Sequence, residues 1–151
     1  MAARPGSVLF LCNHNAVRSP LAEGITKRLF GRHIFVQSAG VRHDMDTDGF
    51  MIAAAKEIGV DLSRHRPRSL AEMEEWGDDV GAYDLIIALS PAAQRLAIEQ
   101  TRHHAVEVDY WPTLDPTGIG ESREQRLDAY RQTRDQIVEH IRGRFAAPAG
   151  S

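Results

Sequence analysis

Short apolar runs alternate along this chain with stretches of helical periodicity. The run SVLFL at 7–11 is continuously apolar, as in a strand covered on both faces. Residues 20–30 predict a helix, with Leu21, Ile25 and Leu29 at four-residue spacing and Gly31 closing it. A second strand is expected over 34–38, and an Ala-rich helix over 49–58 that stops at Gly59. Residues 70–76 predict a short helix, and 77–81 a loop. A third strand follows at 84–89. Ser90 and Pro91 then open a helix reaching Gln100, as N-cap and first-turn proline. A fourth strand is expected at 105–110. The longest helix, 123–145, carries Leu127, Tyr130, Ile137, Val138, Ile141 and Phe145 on one stripe. Strand and helix alternate throughout, which predicts an α/β fold: a parallel sheet with helices on both faces and right-handed crossovers. Ligands bind such sheets beyond the carboxyl ends of the strands, where the strand order reverses. Leu11, Ser38, Leu89 and Tyr110 therefore mark where to look.

The 151 residues suit one domain spanning 1–151, with frayed ends at 1–6 and 146–151 where small residues and proline gather. A formal net charge of -3 gives no reason to expect nucleic acid as a partner, and the apolar run near the N-terminus is too short for a membrane or signal segment. The single cysteine allows no internal disulfide and no cysteine-rich metal site, so the expected setting is the reducing cytoplasm, without metal or cofactor.

That cysteine ends the first strand. Cys12-Asn13-His14-Asn15-Ala16-Val17-Arg18-Ser19 reads C-x5-R-S and runs straight into a helix N-terminus. Five intervening residues let the backbone curl its N–H groups toward one centre, and the helix adds unpaired N–H groups and its positive dipole end. The field that binds an oxyanion there also stabilises a thiolate. Arg18 offers a planar fork for two phosphoryl oxygens. Ser19 serves either as a donor to the sulfur or as a helix cap. A lone cysteine at a strand end is more often a small buried hydrophobe. Strand, Cys, five residues, Arg-Ser-Pro and an amphipathic helix together favour a nucleophile.

On these residues the chain resembles the low-molecular-weight protein-tyrosine phosphatases and the thioredoxin-coupled arsenate reductases that share their fold. The likeness runs from VLFLCNHNAVRSPLAEG through VQSAGV and YDLIIALS to LDPTG. It implies a four-stranded parallel sheet in the flavodoxin-like order 2-1-3-4. It further implies Cys12 as nucleophile, Arg18 as phosphoryl clamp, and Asp115 of the Asp115-Pro116 pair as general acid, with Asn13, His14, Asn15, Ala16, Val17 and Ser19 forming the phosphate loop. A carboxylic acid just past the fourth strand suits that role, although Asp-Pro-x-Gly is also a common turn. The implied activity is phosphomonoester hydrolysis through a phosphocysteine, with a phosphorylated protein, foremost phosphotyrosine, or a small phosphomonoester as substrate.

The chain departs from the family pattern at several points. His14 stands where the family carries a glycine of unusual backbone angle, and is read as a surface bystander ahead of a charged neighbour holding the thiolate. Val17 replaces a second cysteine, so an oxidised Cys12 needs outside rescue. Thr117 and Gly118 replace the tyrosines that wall a phosphotyrosine slot, leaving Tyr110 and Trp111 as the nearest rings. Ala16 matches neither phosphotyrosine nor phosphoarginine readers. The alternatives are arsenate reduction with an external thiol, since arsenate has the shape and charge of phosphate, and a non-catalytic phosphate-binding module.

Other signals carry less. The segment 44–49 imitates a calcium loop, but its twelfth position is Ala55 and not glutamate. His103 and His104 are adjacent and poorly placed to share a metal. The basic run 64–68 either flanks the site or is simply solvated, and the acidic stretch 72–79 reads as a solvated face.

Overall fold

The computed structural model describes residues 4–146. Four strands, β1 (Ser7–Cys12), β2 (Phe35–Gly40), β3 (Leu85–Ala88) and β4 (Glu107–Tyr110), form one sheet in the order β2-β1-β3-β4. Every pairing is parallel, with Cys12 opposite Gly40 and Leu11 opposite Ala88. This is the predicted α/β architecture. β1 is central and wholly apolar beyond Ser7 because both of its faces are covered. Val8 and Phe10 face α1 (Arg18–Phe30), α2 (Gly49–Lys56) and α5 (Arg123–Phe145). Leu9 and Leu11 face α3 (Leu70–Glu75) and α4 (Pro91–Gln100).

The helix ends follow local chemistry. Ser90 accepts from Ala93 N and Pro91 opens α4, as the sequence predicts. Ser69 and Ser122 form capping boxes with Glu72 and Gln125. α1 differs. It begins at Arg18, two residues before the predicted start, and no side chain caps it. Ser19, in its first turn, faces Cys12 and gives its N–H to Sγ. Leu29 is exposed, so only Leu21 and Ile25 of the predicted stripe are core. Within the segment predicted as loop, Val80–Ala82 makes a short 3-10 turn because Asp79 caps Gly81 N.

Of the ends expected to fray, 1–3 and 147–151 lie outside the described residues. Arg4 and Gly6 are tied down: Arg4 Nε donates to Phe145 O at 2.8 Å and Gly6 N to Asp84 Oδ2 at 2.9 Å. No helix among the described residues is long and apolar enough to cross a membrane.

The sheet order reverses at β1, whose neighbours β2 and β3 lead to opposite edges. The carboxyl end of β1 is therefore the switch point, and Cys12 stands there.

Candidate active site

The loop from Cys12 to Arg18 is held from outside by its carbonyls. Val41 N donates to Cys12 O, Arg42 N to Asn13 O and Asp48 N to Ala16 O, at 2.9–3.0 Å. Meanwhile the N–H groups of Asn13, His14, Asn15, Ala16 and Val17 meet no acceptor among the described residues. Carbonyls engaged outward and amides left over are the pattern of an anion nest.

Asn15 is the centre of the brace. It is fully buried and is the one non-glycine residue with a left-handed backbone among those described, φ 55°. Asparagine tolerates that angle better than most residues. Its Nδ2 donates to Ser19 Oγ at 2.8 Å and Ser38 Oγ at 2.9 Å. Its Oδ1 accepts from Arg68 N at 3.0 Å and from His65 Nε2 at 3.1 Å. His65 Nε2 also lies 3.1 Å from Asn15 O, and both oxygens accept only, which fixes the proton of a neutral His65 on Nε2. Burial pushes the His65 imidazole below its ordinary range, opposed by the charge of Glu23 and the contact with Asn15 O. The network ends on sulfur: Ser19 Oγ lies 2.9 Å from Cys12 Sγ, and Ser19 N donates to Sγ at 3.4 Å. With Asn15 Nδ2 donating to it, the Ser19 hydroxyl has its own proton for Cys12 Sγ at 2.9 Å or, at the longer 3.4 Å, for Ala39 O. Elsewhere in the loop, Ser90 Oγ donates to Asn13 Oδ1 at 2.7 Å.

Arg18 is buried and its direction is fixed. Nη1 donates to Thr113 O at 2.9 Å and more weakly to Leu89 O at 3.4 Å. Nη2 approaches Asp115 Oδ2 at 4.0 Å. Cys12, Arg18 and Asp115 line one cavity of about 70 Å³, together with His14, Val17, Met45 and Thr117. Asp115 is half-exposed there, and its Oδ1 accepts from Thr117 N at 3.0 Å. A sulfur, an arginine fork and a carboxyl group thus face one small space.

The model for the low molecular weight phosphotyrosine protein phosphatases matches residues 7–147. The chain belongs to that family. Its relatives divide between two chemistries. The glutaredoxin arsenate reductase of Synechocystis sp. is 30% identical over 139 residues, covering 92% of this chain and 95% of that protein. The low molecular weight protein tyrosine phosphatase of T. tengcongensis superposes with a TM-score of 0.69 at 28% identity, over 89% of this chain and 94% of that one. The YwlE arginine phosphatase, solved as a mutant with a phosphorylated active-site serine, gives 0.70 at 26% identity, over 90% and 91%.

Within this family chain, two expectations need correction. The unusual backbone angle falls on Asn15 and not on His14. Nor is His14 a bystander: it lines the cavity and its Nδ1 sits 2.6 Å from Asp44 Oδ1. The imitation calcium loop thus supplies Met45 to the cavity wall, Asp44 as the partner of His14, and Asp48 to the cap of α2. Tyr130 of α5 donates to Asp48 Oδ2 at 2.9 Å, and burial together with Asp48 pushes its phenol up to about 12. Tyr110 and Trp111 are not part of the cavity lining. Trp111 packs on Phe10 and His140, and Tyr110 against the core beside α4.

Several residues that shape the loop carried no assigned role in the sequence. Ser38, His65 and Arg68 hold Asn15, and Thr113 holds Arg18. Gly40 lets the loop pass closely, since a Cβ there would lie 2.8 Å from Asn15 N and His14 C. The basic run resolves into brace and surface: His65 and Arg68 turn inward while Arg64 and Arg66 stay exposed. Among the described residues no group of three or more His, Cys, Asp or Glu side chains is placed to hold a metal ion.

Proposed function

We propose that this chain is a cysteine-dependent phosphomonoester hydrolase. The observation that carries the reading is the shared cavity, where Cys12 Sγ meets Arg18 and Asp115 beside a loop of uncommitted amides. The phosphoryl group sits in the nest with Arg18 across its equatorial oxygens. The Cys12 thiolate attacks phosphorus and forms an S–P bond. The P–O bond to the leaving group breaks, and its electron pair stays on oxygen, which takes a proton from Asp115. Asp115, now a carboxylate, accepts a proton from water as the water oxygen attacks phosphorus. The S–P bond breaks, returning the thiolate and releasing inorganic phosphate. Ser19 steadies the sulfur as an anion before and after the cycle.

Phosphotyrosine is the substrate the resemblance implies first, but the wall gives it little support. No Phe, Tyr or Trp lines the cavity, and Met45 and Thr117 stand at its sides. Small or flexible phosphomonoesters suit it better. The same feature favours a second reading, arsenate reduction, which also draws on the arsenate reductases among the relatives. Cys12 would displace water from arsenate to form an S–As bond. An external thiol would attack Cys12 sulfur, the S–As electron pair would leave with arsenic as arsenite, and a second thiol would reduce the mixed disulfide. With one cysteine in the chain, both thiols must come from outside.

Hydrolysis of para-nitrophenyl phosphate by metal-free protein tests the first reading. Turnover is expected in the wild type and absent in Cys12→Ser, which keeps its affinity for phosphate. Equal turnover in both rejects the cysteine mechanism. No turnover in the wild type, with arsenite formed from arsenate plus glutathione and glutaredoxin, moves the assignment to the reductase.

A further inference from the structure

A larger cleft, of about 430 Å³, opens between α1, the end of β2 and the segment 61–68. It shares no lining residue with the cavity over Cys12. Its size falls in the range of small-ligand sites. One side is apolar backbone and carbon: Pro20, Gly24 and Leu62. The other is cationic, with Lys27, Arg64, Arg66 and Arg68 against the carboxylates of Glu23 and Asp61.

The charges are not equally committed. Lys27 pairs with Glu23, and Arg68 is spent on Ser38 O and Asp78. Asp61 Oδ1 accepts from Ser63 N and Oγ. Arg64 and Arg66 make no hydrogen bond or ion pair with any described residue. Two guanidinium forks at the edge of a cleft with an apolar side can grip an anionic head while the rest of the ligand lies on carbon. A phosphate monoester carries close to two negative charges near neutral pH, enough to engage both forks.

We propose that this cleft is a second, non-catalytic site for a small organic phosphate, its phosphate on Arg64 and Arg66 and its body over Pro20, Gly24 and Leu62. The floor includes Ser38 and His65, which also hold Asn15, so an occupant reaches the brace of the phosphate loop.

The probe is adenosine 5′-monophosphate, titrated into labelled protein whose phosphate loop is occupied by orthovanadate, and followed by amide resonances. Saturable shifts are expected at Gly24, Lys27, Arg64 and Arg66 and at the Asn15 side-chain amide, with His14 and Arg18 unmoved. Arg64→Ala/Arg66→Ala should weaken the apparent affinity by ~10-fold or more, the loss of charge-assisted contacts, and leave para-nitrophenyl phosphate turnover unchanged. Shifts that do not saturate, or that persist unchanged in the double variant, overturn the site. Citrate competing as strongly as the nucleotide, at matched ionic strength, overturns the assignment to a phosphate.

Discussion

Asp115 is the most exposed of the three groups around Cys12, and its carboxyl oxygens are differently engaged. Oδ1 is tied to Thr117 N, while Oδ2 stands 4.0 Å from Arg18 Nη2. The Thr117 contact orients the carboxyl group and leaves one oxygen to exchange a proton with a leaving group. General acid catalysis is worth most where the leaving oxygen is most basic. Asp115→Asn keeps the shape and the contact to Thr117 but removes the transferable proton. Its kcat/KM on alkyl phosphates should fall by ~10²–10⁴-fold, and on para-nitrophenyl phosphate far less. A series of aryl and alkyl phosphates measures this directly, and equal slowing across the series removes Asp115 from the role. His14 shows why single-residue reading of the loop is hard. From sequence it stands in a glycine position, but its backbone is ordinary and the left-handed turn passes to Asn15. Its partner Asp44 is thirty residues away, at a separation no local pattern reports.

At the scale of elements, the site is a meeting of strand ends. β1 presents Cys12, the turn after β2 supplies Val41 N and Arg42 N, the end of β3 offers Ser90, and the segment after β4 offers Thr113 O and Asp115. The central strands β1 and β3 and the long helix were legible in the sequence because buried parallel strands are continuous apolar runs and α5 keeps one stripe over 23 residues. Cys12, Arg18 and the Ser90 cap were legible because their spacing is local. His65, Arg68 and Ser38 were not, because each acts through a hydrogen bond to Asn15 across 23 to 53 positions. Gly40 is a comparable case. A Cβ there meets only backbone, Asn15 N and His14 C at 2.8 Å and Arg42 O at 2.9 Å, and backbone cannot swing aside. Gly40→Ala should therefore cut kcat on para-nitrophenyl phosphate by ~10-fold or more by displacing the loop. Gly143→Ala is the control: a Cβ there meets nothing within 4 Å, and α5 should gain about 0.5–1 kcal/mol. Thermal unfolding beside turnover separates the two. Wild-type kcat in Gly40→Ala would mean the loop does not depend on this close approach.

For the whole molecule, acid titrates two separate sets of groups. Glu57 is held at about 2 by hydrogen bonds to Arg131 and Arg134, and Asp61 and Glu72 are also lowered, by contacts with Ser63 and Ser69. Their contributions are present above the unfolded carboxylate range of about 4 and fade only as pH falls through the lower folded values. His65 acts in a higher window with its own sign. It is lowered by burial from an unfolded value near ~6.5, with Glu23 opposing and Lys27 and Arg68 reinforcing the shift. Between that value and the lower folded one, the unfolded chain binds a proton that the folded chain does not. Stability then rises with pH, so the His65 contribution is complete above ~6.5 and declines as pH falls below it. His65→Gln can still donate to Asn15 and does not titrate. Urea midpoints of wild type and His65→Gln should run parallel down to about pH 6.5 and diverge from there to pH 5.5, the wild type losing more. Parallel curves over that range would mean His65 carries the same proton in both states, and the neutral tautomer assigned to the Asn15 brace would be wrong. A divergence in stability accompanied by falling turnover in the wild type alone would tie the acid limit of activity to the loop's brace.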